Sequence, residues 1–210
     1  MNLRNPSVKT LTSVLSFALA FAAVKYGMEF LFEQQAVAET VEQIKKIKED
    51  GAKKHPELSA SAAESLEAAE SMTKSLDSET DRNKKKQLAA FSFFGFYIVN
   101  TSERSAFCSE LGVSISPFTV AFERLHVTEL AKARELTSGA TAQEQKMLTL
   151  LKPRFRKSVD EDMSDISSSH NIPVKDVCQI FSQQGEAFAQ KMHFSNVAPE
   201  VYATLISEKQ

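Results

Sequence analysis

Glu123, His126 and Glu129 stand three residues apart in the stretch Glu-Arg-Leu-His-Val-Thr-Glu, a spacing that puts all three along one flank of a helix. Di-iron helical bundles use such a Glu-x-x-His pair, but they need two of them plus two further glutamates from other helices. No second acidic residue stands three positions before a histidine here. The pattern therefore reads as a polar helix face and not as half of a metal centre. The other histidines, His55, His170 and His193, have no Ser or Cys nucleophile at a recognisable motif position, and no Gly-rich phosphate loop occurs. The expectation is a chain with no catalytic residue, no cofactor and no bound metal.

Cys108 and Cys178 are the two cysteines of the chain. Neither belongs to a C-x-x-C pair or has a histidine at ligand spacing, which argues against a metal site. Neither has a flanking base, which argues against a reactive thiol. An even pair in an exported chain is expected to close a disulfide, the alternative being two buried thiols. The loop such a bond closes is long enough for about 4 kcal/mol of stabilisation in the chain-entropy picture.

Charge is balanced: 25 Lys and Arg against 27 Asp and Glu. That near-neutral mixture carries no signature of nucleic-acid binding. Residues 165–184 imitate a helix-turn-helix, but Lys175 is the one basic residue of its second helix, too few to neutralise phosphates, so the segment reads as a helical corner. Local basic clusters stand at Lys45-Lys46-Lys48 with Lys53-Lys54, at Arg82 with Lys84-Lys85-Lys86, and at Lys152-Arg154-Arg156-Lys157. They read as solvated helix faces first, and as docking sites for an acidic partner second.

The elements that must position these residues begin with an apolar run. Arg4 and Lys9 precede an uncharged stretch over residues 11–24, and apolar character resumes past Lys25 in Tyr26, Met28, Phe30, Leu31 and Phe32. A core signal of that length favours a cleaved export signal, because a spanning helix needs about 20 apolar residues. The continuation beyond Lys25, which can snorkel to the headgroups, tips the reading to a retained inner-membrane anchor over residues 7–32. The basic residues ahead of the run keep the N-terminus inside and send the rest to the periplasm; signal cleavage and a periplasmic or secreted product is the alternative.

Strand signals are almost absent, and the fold expected is all-α: an anchor or signal helix continuing into one irregular bundle of about five to seven helices. Three stretches follow from the pattern: the anchor over 1–32, an amphipathic membrane-proximal helix over 33–56, and a helical extracytoplasmic domain over 57–210. In the second, Val37, Val41, Ile44 and Ile47 form one stripe at helical spacing, a candidate surface for a partner or a second copy. Gly51 and the His55-Pro56 step are expected to end that helix. A thin apolar face follows in Leu58, Ala62, Leu66, Ala69, Met72 and Leu76.

The next helix, over 82–111, contains Leu-Ala-Ala-Phe-Ser-Phe-Phe-Gly-Phe-Tyr-Ile-Val, too short to span a bilayer and apolar all round, so it must be covered by protein. Phe91, Phe94 and Ile98 are expected to face inward, with Gly95 letting another backbone approach. The four are also the candidate lining of a pocket for a small apolar ligand such as an acyl chain, against the plainer reading of a packed aromatic core. Further helices are expected over 117–136 after Ser116-Pro117, over 141–169 opened by the capping box Thr141 to Glu144 and kinked or divided at Pro153, from Pro173 to near His193, and from Pro199.

The function these observations point to is a non-enzymatic, membrane-anchored envelope protein that binds another envelope protein or itself through the membrane-proximal helix. A carrier of an apolar ligand is the alternative, and an enzyme without a visible motif a third.

Overall fold

The computed structural model describes residues 33–58, 60–137 and 141–207. Among these the chain is entirely helical: α1 Glu33–Lys54, α2 Ala60–Ser78, α3 Arg82–Ile98, a π-helical turn Val99–Glu103, α4 Arg104–Glu110, α5 Ser116–Leu125, α6 Val127–Leu136, α7 Thr141–His170, α8 Val174–Gln183, α9 Gly185–Lys191, α10 Phe194–Val197 and α11 Pro199–Ile206. The all-α expectation holds. The expected anchor over 1–32 lies outside the described residues, and among those described no helix is long and apolar enough to cross a membrane.

The helix count exceeds the expected five to seven, because three predicted helices are broken. The span 82–111 widens into the π turn, where the Arg104 N–H bonds to the Val99 carbonyl five residues back. The span 117–136 breaks at His126 (φ −109°, ψ 18°), and the span 173–193 at Gln184 (φ −116°, ψ 24°). Each break lets the chain turn around a compact core that one straight rod could touch only along a single stripe. Gly185 opens α9 against the backbone of Pro117 and Phe118, so close that a Cβ there would overlap both. That approach lets α9 lie against α5.

α1 ends at Lys54, directly before the expected His55-Pro56 step, but neither Gly51 nor Pro153 interrupts its helix. Pro153 sits inside α7 without dividing it. Leu151, Phe155, Val159 and Met163, all buried, hold both sides of the proline to the core, which outweighs one missing backbone donor. Gly51 lies one turn before the end of α1 and stays helical. It sits at the crossing with α2, where a Cβ would come within 2.5 Å of the Ala63 carbonyl oxygen. Small residues bring the two backbones together: Ala62, Ala63 and Ala68 are buried, while Leu58 and Leu66, expected on the inner face, are 39% and 40% exposed.

Aromatic rings fill the centre. Phe93, Phe96, Phe118, Phe122, Phe155 and Phe194 are each at most 1% exposed. Phe194 reaches both Phe93 and Phe96 at 5.1 Å between ring centroids, and Phe118 meets Phe122 at 5.5 Å. Each phenylalanine so buried contributes about 2–3 kcal/mol of transfer free energy. Local chemistry sets three of the helix ends. Asp81 caps α3, accepting from the Asn83 and Lys84 N–H groups. The chain leaves α4 at Gly112, with the Val113 N–H bonding back to the Cys108 carbonyl. Pro199 stands in the first turn of α11.

Candidate functional site

The break between α5 and α6 places the His126 ring inside the aromatic core, fully buried. Its Nδ1 lies 2.8 Å from the Phe122 carbonyl, and its Nε2 accepts the Phe194 N–H at 2.9 Å. Those partners define one neutral tautomer, protonated on Nδ1. Phe122 lies against the ring at 4.1 Å, with Phe96 at 5.6 Å and Phe93 at 6.0 Å. Burial drives the imidazole pKa down from 6.5 to about 4; the Phe122 hydrogen bond opposes this and His193 adds to it.

His193 stacks on His126 at 4.8 Å. Its Nε2 is 3.4 Å from Glu129 Oε1, its Nδ1 is 2.8 Å from Ser195 Oγ, and Tyr202 meets its edge at 5.9 Å. Glu129 is 3% exposed, and its Oε2 is buried with no hydrogen-bond partner. The order hydroxyl, imidazole, carboxylate is that of an activated serine. Catalysis there also needs donors for an oxyanion, and the neighbouring ones are engaged. The Ser195 N–H points to His193 Nδ1, the Asn196 and Val197 N–H groups bond the His193 carbonyl, and the Asn196 side-chain amide bonds the Gln190 carbonyl. What the cluster does is hold two imidazoles and a carboxylate at the edge of an apolar core.

The second polar cluster surrounds the cysteines. Cys108 on α4 and Cys178 on α8 form the expected disulfide, with Cα atoms 5.5 Å apart and both residues buried. One turn before Cys108, the π turn delivers Arg104 to the interior. Its Nη2 donates to Asp162 Oδ2 on α7 at 2.8 Å, with both side chains at most 2% exposed. Arg104 Nη1 lies 3.2 Å from Met163 Sδ, and its guanidinium sits 5.1 Å from the Phe181 ring. Asn100, in the same turn, donates its amide to the Phe96 carbonyl. Asn100 opens a formal glycosylation sequon, but it is completely buried.

The other residues singled out from the sequence are scattered. Phe94 and Gly95 are buried, whereas Phe91 and Ile98 are half-buried on the flanks of the core. The central rings of that helix are Phe93 and Phe96, one position away from the expected face. The rings pack directly on one another, which favours the solid aromatic core over an acyl pocket. Ile47 packs with Ala68, while the side chains of Val37, Val41 and Ile44 lie outside what is described. Glu123 is exposed, apart from buried His126 and Glu129. Among the described residues no group of three or more His, Cys, Asp or Glu is arranged to hold a metal.

Most basic clusters are tied to the chain's own acids. Lys54 pairs with Glu67 at 2.5 Å, Lys48 with Glu161 at 3.7 Å, and Arg156 donates to both oxygens of Glu110. Lys86 is buried and donates to the Ser207 carbonyl at 2.8 Å. Glu64 lines an open groove with Lys48, Glu161 and Asp165; burial pushes its pKa upward, with Lys48 opposing. Sequence reasoning missed Arg104, Asp162 and His193. Arg104 stands among polar neighbours, Thr101 to Ser105, so its burial carries no signal in the sequence.

Among the described residues the fold and its interior define a disulfide-bonded, all-helical protein with two buried polar clusters. No protein-family model, no curated protein and no solved structure matches this chain.

Proposed function

We propose that this protein is a non-enzymatic interaction module of the cell envelope. Residues 7–32 hold it at the inner membrane, and the helical domain lies in the periplasm. Its membrane-proximal helix engages another envelope protein or a second copy of the chain. The observation that carries this reading is the disulfide between Cys108 and Cys178, both buried. Such bonds persist in oxidising compartments, and the apolar stretch ahead of α1 is what would deliver the chain to one.

The arm itself supports an interaction role. α1 packs on α2 and is joined to α7 by the Lys48–Glu161 pair, while Glu42, Lys45, Lys46 and Glu49 are exposed along it. The test uses the full chain in membranes. A photo-crosslinker at Lys46 is expected to yield one defined adduct, lost when Val41 and Ile44 become Asp. Protease added to the outer face of spheroplasts should digest the domain. A domain protected from protease, with both thiols free in cells, overturns the reading.

A further inference from the structure

The C-terminal segment over residues 193–207 crosses the aromatic core as a strap. α11 packs on α3 and also touches α2 and α6, while α10 packs on α11 and sends Phe194 into the core. Phe194 plugs the space between Phe93 and Phe96, and Leu205 and Val201 are buried beneath α11. The strap is pinned at its two ends by hydrogen bonds to other elements. At its start the Phe194 N–H donates to His126 Nε2, and at its end the Ser207 carbonyl accepts from Lys86 Nζ. The two pins differ in chemistry. A lysine donor keeps its proton throughout the acid range, whereas an imidazole acceptor loses its lone pair on protonation.

We propose that residues 193–207 are an acid-released strap, with His126 as the pin that lets go. Protonating Nε2 turns an acceptor into a donor facing another donor, the Phe194 N–H, so that bond is lost. It also places a positive charge among Phe93, Phe96 and Phe122, where the ring's two hydrogen-bond partners among the described residues are both backbone groups. The face of Phe122 at 4.1 Å returns a fraction of that cost through cation–π attraction.

The titratable groups around the ring are few. His193 faces it from the strap, stacked at 4.8 Å, so a proton on either ring opposes one on the other. Glu129 on α6 is held by His193 Nε2. Tyr202 on α11 lies behind His193, and Tyr97 on α3 lies behind Phe122. Glu123 and Arg124, on the helix leading into His126, are exposed to water. Lifting the strap removes Phe194 and His193 together and opens the ring to water, so the open form binds the proton that the closed form refuses. The burial-lowered affinity of the closed state for that proton supplies the drive. The device rests on the core geometry and does not depend on where in the cell the protein resides.

Hydrogen exchange followed by mass spectrometry on the purified full chain tests it, with rates corrected for the intrinsic effect of pH. Between pH 7 and pH 4 the peptide covering 194–206 should lose roughly 100-fold in protection and exchange well ahead of the peptide covering 151–163 of α7, which opens only with the whole domain. His126→Gln preserves one donor and one acceptor without titrating, so its strap should show no such drop. Lys86→Met loosens the other pin; strap protection should fall at both pH values, with the drop between them intact. A strap that stays protected at pH 4 overturns the proposal. So does a strap that exchanges no faster than α7 at pH 4, or a pH dependence that survives His126→Gln or disappears in Lys86→Met. If His126→Gln fails to fold, the wild-type comparison and Lys86→Met still decide.

Discussion

Arg104 and Asp162 meet at 2.8 Å in the interior of the domain, one from the segment just after the π turn and one from the middle of α7. An ion pair so far from water is a weak source of stability but a strong constraint, since neither charge tolerates the loss of the other. Asp162→Ala leaves a buried guanidinium unpaired and is expected to cost about 3–5 kcal/mol. The double change Arg104→Met with Asp162→Leu should recover most of that, because it removes both charges and keeps the volume. Urea unfolding of the three proteins measures this, and an Asp162→Ala variant within about 1 kcal/mol of wild type contradicts it.

The disulfide beside that pair spans 70 residues of sequence. Closing a loop of that length removes enough unfolded-state entropy for about 4 kcal/mol. Cys108→Ser with Cys178→Ser should lower the unfolding free energy by that order. Reductant should act on the wild type only as it unfolds, because both cysteines are completely buried. Thiol alkylation under native reducing conditions reads the second point; rapid labelling goes against it.

His126 also makes global stability depend on pH. Its folded pKa of about 4 lies below the ordinary 6.5, so between those values the unfolded chain binds more protons than the folded one. Stability is therefore complete above pH 6.5 and declines as pH falls towards 4. The loss amounts to roughly 3 kcal/mol if the whole shift is realised. Urea midpoints from pH 7.5 to 4 should show the decline in wild type and a flatter line in His126→Gln.

Gly185 is a packing position. Alanine there would gain about 1 kcal/mol of helix propensity. The added Cβ, however, overlaps the backbone of Pro117 and Phe118, which has no rotamer by which to move away. Overpacking of that kind costs about 1–3 kcal/mol, so Gly185→Ala should be net destabilising in thermal or urea unfolding. Gly51→Ala, against the Ala63 carbonyl, should behave in the same way and separate α1 from α2.

The all-helical class was legible from the sequence, and so were the starts and stops that rest on local chemistry. Gly112 and Pro199 act through backbone groups within a few residues of themselves, so their roles need no knowledge of the rest of the chain. The disulfide was legible by counting, since two cysteines permit one internal pairing. The helix breaks at His126 and Gln184 carry no local signal of that kind. His126 sits in a sequence that would continue as a helix, and it leaves that path where its ring finds the Phe194 N–H, 68 residues away.

The same division holds for the interior. The sequence alone determined that residues 88–99, apolar on every side, must be covered by protein. Periodicity in such a stretch cannot say which ring is central, because every face is equally apolar, and Phe93 and Phe96 took the places expected of Phe91 and Ile98. Only the tertiary structure decided that, and only it brought Arg104 to Asp162 and His126 to His193. Buried polar groups are chosen by partners distant in the chain, since a charge or imidazole enters an apolar core only where the fold delivers the group that satisfies it.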